Sequence, residues 1–130
     1  MFLGGAGATR CEKWSESRNA EARLSRAPTK DNASGAALSF GLKSWVLGYI
    51  TGLSSGTDSG AAAIEQTILC ETNESDVLRR IDGFCRANPD ALLVQAAALV
   101  SADIMRAKAS RIERALENAM RGLNVDVSCR

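Results

Sequence analysis

The sequence contains no histidine. That removes the commonest metal ligand, the usual general base and the one side chain that normally titrates near neutrality, and it weighs against an ordinary hydrolase. Nor do its four cysteines, at 11, 70, 85 and 129, form any CxxC pair. Zinc sites bring their cysteines in close pairs, so neither a metal nor a cofactor is expected. No run approaches the roughly 18 consecutive apolar residues of a membrane span; the most apolar stretch is broken by Lys43, Ser44 and several glycines. Charge bias is lacking too. Lys and Arg number 16 against 15 Asp and Glu, a net charge of +1, which gives nothing to steer nucleic acid or anionic lipid. Strand alternation and internal repeats are also missing.

What remains is helical periodicity in a chain of 130 residues, enough for a single domain with its own core. The stretch Val77 to Asp90 organises it. Val77, Leu78, Ile81, Phe84 and Cys85 fall on one apolar stripe, leaving Arg79, Arg80, Asp82 and Arg86 outside. Asn73, three residues before Asp76, suits the start of this helix. At its end Asn88 precedes Pro89, a pair that reads as N-cap and first residue of a following helix. That helix is expected from Asp90 to about Arg121. Its stripe is Leu92, Leu93, Ala96, Ala97, Val100, Ile104, Ala107, Ile112, Leu116 and Met120, and Gly122 is its stop signal.

Upstream, Thr9 reads as the cap of a helix to Leu24 whose thin apolar side offers Cys11, Trp14 and Ala22. Such a helix needs a covalent or aromatic anchor. A linker is expected from Ser25 to Ala33, and then the central helix, Ala36 to Leu53. In it Gly48 and Gly52 form a G-x-x-x-G pair beside Trp45 and Tyr49, read as a groove that another helix approaches closely, with Trp45 buried. Ser54 to Gly60 reads as a loop, and Ala61 to Leu69 as a short helix with Ile64 and Ile68 inward. The expected class is therefore all-α, an irregular bundle of about five helices. Residues 1–8 are either the tail of an export signal or a disordered terminus, and 9–130 form one helical domain. Two readings of the cysteines stand: two disulfides in an oxidising compartment, or four buried thiols in the cytosol.

Cys11-x-x-Trp14, Ser44-Trp45-Val46-Leu47-Gly48-Tyr49-Ile50-Thr51-Gly52 and Ile81-Asp82-Gly83-Phe84-Cys85-Arg86-Ala87-Asn88-Pro89 together resemble the HdeA-like group of small exported bacterial helical proteins, which includes the type VI amidase immunity proteins. The resemblance runs over roughly residues 9 to 105. Arg80 and Gly83 stand where its pattern has Trp and Asn, and Cys70, Cys129 and the charged helix after Ala107 are additions. It implies a periplasmic or secreted protein with a Cys11–Cys85 disulfide, which leaves Cys70 to pair with Cys129. It further implies a protein that acts by binding another protein: an immunity protein inhibiting a partner enzyme, or else an acid-stress holdase opening below roughly pH 3, or an uncharacterised structural or interaction protein. With no histidine and no pairing of nucleophile with base, an enzyme is not expected, and the chain is expected to be a monomer or homodimer.

Overall fold

A computed structural model describes residues 5–55 and 72–122. Among these, the chain is built of a 3-10 turn, Ala6–Ala8, and four α-helices: α1 Cys11–Leu24, α2 Lys30–Ser55, α3 Glu74–Ala87 and α4 Leu93–Met120. The all-α class holds, with four helices among the described residues where about five were expected. The expected Ala61–Leu69 helix, most of the preceding loop, Cys70 and Cys129 lie outside the described residues; Ser54 and Ser55, expected in that loop, belong to α2.

α3 forms as its pattern dictates. The Asn73 side chain accepts the Asp76 N–H at 2.8 Å, and Val77, Leu78, Ile81 and Cys85 are buried on one face. They meet Cys11 and Trp14 of α1, Leu42, Val46 and Ile50 of α2, and Leu93, Ala96, Val100 and Ile104 of α4 in one core. Full burial of a side chain of this size contributes about 1.5–3 kcal/mol.

Three boundaries differ from expectation, and hydrogen bonding explains each. Thr9 does not cap α1; the N-cap is Arg10, with no side-chain bond. The first amides of α1 find carbonyls across the fold instead, Cys11 N–H on Ala91 (2.8 Å) and Glu12 N–H on Pro89 (2.9 Å), while Leu93 N–H returns to Thr9 at 2.8 Å. That exchange, centred on an antiparallel bridge between Arg10 and Leu92, follows a turn at 89–90 closed by the Ala91 N–H on the Asn88 carbonyl (3.0 Å) and holds Leu92 extended as the N-cap. α4 therefore starts at Leu93 rather than Asp90. Asn88 closes α3 instead of opening α4: its N–H and its side-chain amide both donate to the Phe84 carbonyl. Finally, α2 starts six residues early because the Thr29 hydroxyl accepts the Asn32 N–H at 3.2 Å, a local cap within the expected linker.

Ala6–Ala8 wind a 3-10 turn whose Gly7 is buried, so close to the Trp45 ring that a Cβ there would lie 2.8 Å from it. Trp45 itself is half-buried rather than buried, stacked on Tyr49 with centroids 5.1 Å apart.

No described residue occupies the expected glycine groove. A Cβ on Gly48 or on Gly52 would meet no described atom within 4 Å, whereas one on Gly35 would lie 2.3 Å from the Cβ of Ala20. The close approach of α1 and α2 is at Gly35. Gly35→Ala is accordingly expected to lower stability by about 1–2 kcal/mol, the overpacking cost less the helix-propensity gain. Adding Ala20→Gly removes the clash and returns thermal stability to within about 1 kcal/mol of the parent. Gly48→Ala, on the open face, is expected to raise stability by up to about 1 kcal/mol. A melting temperature lowered by Gly48→Ala and unchanged by Gly35→Ala would reverse this assignment.

Candidate functional site

α1 carries one stripe with a sequence of tasks: Cys11, Trp14, Arg18 and Glu21, at i, i+3, i+7 and i+10. Cys11 lies in the first turn and bonds Cys85 of α3 with their Cα atoms 4.6 Å apart, the pair the resemblance implies. One turn along, Trp14 is fully buried. Its indole Nε1 donates to Asp82 Oδ1 at 2.7 Å, and Asp82 stands one turn before Cys85 on the same side of α3. Arg18, the next turn of α1, forks onto both Asp82 oxygens at 3.1 Å each, its guanidinium carbon 5.9 Å from the Trp14 ring centroid. The same guanidinium reaches Glu21 at 3.3 Å. Glu21 in turn accepts the Ser39 hydroxyl and Lys43 Nζ, the latter at 2.8 Å, both from α2.

The result is a staple continued by a ladder of charge-assisted hydrogen bonds that ties α1 to α3 at one end and to α2 at the other. The thin apolar face of α1 is why it is needed. Of the three residues expected inward, Ala22 is exposed; Ser17 is buried in its place, its hydroxyl donating to the Trp14 carbonyl at 2.8 Å. Asp82 was read from the sequence as an outward charge. The signal for its role was available, since a buried tryptophan N–H requires an acceptor.

The ladder's electrostatics respond to acid. Burial pushes the Glu21 carboxyl up, but hydrogen bonds from Lys43 and Ser39, with the charges of Lys43 and Arg18, outweigh it and hold the group below its ordinary 4.5. The Arg18 guanidinium is raised, first by its hydrogen bond to Asp82. On α3, Asp76 is held below its ordinary 3.8 by hydrogen bonds from Thr72 and Arg79. Carboxyls depressed by folding stabilise fully above their unfolded values and lose that contribution as pH falls through the lower folded ones. Unfolding free energy should therefore drop on the acid side of 4.5. Glu21→Gln should flatten the first part of that fall, and identical acid limbs for the two proteins in urea titrations would remove Glu21 from the account.

The remaining expected site residues are not brought together here. Trp45 and Tyr49 stack beside the 3-10 turn, Gly48 is exposed on another face of α2, and Cys70 and Cys129 lie outside the described residues. Among the described residues no cluster of three or more acidic or cysteine side chains could hold a metal ion, and no helix is long and apolar enough to cross a membrane. A second feature is one that stripe-reading merged with the core. Beyond Ile104 no residue of α4 is buried, and Ile112, Leu116 and Met120 are 45%, 61% and 87% exposed. The chain matches no protein-family model, no curated protein and no solved structure.

Proposed function

We propose that this chain is an exported protein-binding module of the HdeA-like kind, an immunity protein or inhibitor that occludes a partner enzyme in the periplasm. The observation that carries the reading is the Cys11–Cys85 disulfide joining α1 to α3. A structural disulfide suits an oxidising compartment, and this one sits where the resemblance to exported helical proteins puts it. The polar groups beside it support binding over catalysis: Asp82 and Glu21 are each engaged by a cation and a further donor, an arrangement that fixes helices rather than activates a nucleophile.

The test uses the oxidised chain as bait in a periplasmic extract, followed by titration of each captured protein's activity. An enzyme silenced at one-to-one stoichiometry supports the proposal; captured enzymes that remain fully active at excess count against it. A second reading, the acid-stress holdase, is favoured by one specific feature, the depressed carboxyl of Glu21 in the ladder. It predicts capture of many unrelated clients, only at acid pH, with loss of near-UV signal.

A further inference from the structure

We propose that the distal half of α4 pairs two copies of this chain into an antiparallel dimer, an inference that concerns the helix beyond the stapled core and does not depend on the partner-binding reading. At about 100° per residue, Met105, Ala109, Ile112 and Leu116 lie roughly 120° around α4 from the buried face of Leu93, Ala97, Val100 and Ile104. The helix thus has two apolar faces. The first is covered by the bundle and ends at Ile104; on the second, Met105 is 37% and Ile112 45% exposed, and Ala109 is exposed as well.

The occupant is read from the spacing. Met105, Ala109, Ile112, Leu116 and Ala119 are separated by four, three, four and three positions, the alternation of a two-helix seam rather than of a face lying on a broad surface. Placed against itself about a two-fold axis between Ala109 and Ile112, the seam from Met105 to Leu116 matches large with small and large with large, and Ala119 faces Ala102 beyond it. Ile112 of one copy covers Ala109 of the second, and Leu116 meets Met105, and symmetry repeats both contacts. The same register sets Arg106, flanking the seam, opposite Glu113 of the second copy, twice. Among the described residues, exposed Arg106 pairs with Asp103 of its own helix and Glu113 has no ion-pair partner. A parallel pairing instead puts Ala109 on Ala109, leaving a gap, and sets Arg106 against Ser101.

Sedimentation velocity on the full oxidised chain from about 1 to 100 µM tests this. Expected is a concentration-dependent dimer whose dissociation constant rises on the order of a hundredfold or more in Ile112→Glu, with far-UV signal unchanged because Ile112 is not part of the core. Arg106→Glu and Glu113→Arg should each weaken the dimer severalfold, and the double variant should restore it. A chain monomeric throughout, a dimer indifferent to Ile112→Glu, or a double variant no better than the singles would each overturn the proposal.

Discussion

Replacing Cys11 and Cys85 by alanine together lowers the unfolding free energy by about 4 kcal/mol, the loop-entropy value for a crosslink of this span. The two residues are 74 positions apart, so the open chain regains the freedom of more than half its length. Local structure offers α1 little compensation. It has no side-chain N-cap, and its buried set is Cys11, Trp14 and Ser17 alone. Without the bond, α1 is held by the Trp14 indole, the ladder and the close contact of Ala20 with Gly35, and its amides should exchange ahead of those of α3. Denaturant titration of the double alanine variant against the parent reads the change directly. A difference under about 1 kcal/mol would mean that these non-covalent contacts secure α1 without the disulfide.

Asp82→Ala is expected to cost about 2–4 kcal/mol, the largest effect of any charged position. Two groups lose their acceptor at once. The Trp14 N–H is buried, and stranding it costs about 1–3 kcal/mol. Arg18 is 26% exposed, so water recovers part of what it loses and its share is discounted accordingly. Asp82→Asn should cost about half as much, because the amide oxygen still accepts from the indole while the fork with Arg18 is gone. The origin of the effect is separable. In a double-mutant cycle with Trp14→Phe, which removes the donor, Asp82→Ala should become milder by about 1 kcal/mol or more. Strict additivity would show that Asp82 acts through something other than the indole.

These two predictions mark where the sequence was legible and where it was not. The start and the buried face of α3 were readable because its cap, its apolar period and its burial agree. The stop of α4 was equally plain, with Gly122 at φ 72° just past the last turn. Its start was not, since the pairing of 89–93 with 9–12 is a long-range exchange that no local signal announces. Gly48 and Gly35 teach a related point. Both are glycines in the same helix, but which of them another helix crosses depends on where α1 lands, and the G-x-x-x-G spacing carries no information about that. In α4, apolar residues counted along the chain merged two faces that angular position separates. Asp82 was missed because charge was taken as a mark of the outside; read together with a Trp destined for the core, it becomes the acceptor that lets that Trp be buried.

That the protein works with its staple closed, outside a reducing cytosol, is open to a direct measurement. Thiols are alkylated in intact cells of the native host before lysis, and unreduced peptides are mapped by mass spectrometry. A Cys11 peptide linked to a Cys85 peptide, with neither residue alkylated, is the predicted result. Recovery of both cysteines as alkylated thiols would contradict the account, because α1 would then be held to α3 by the Asp82 hydrogen bonds and apolar packing with no covalent link, and the case for export would lose its support.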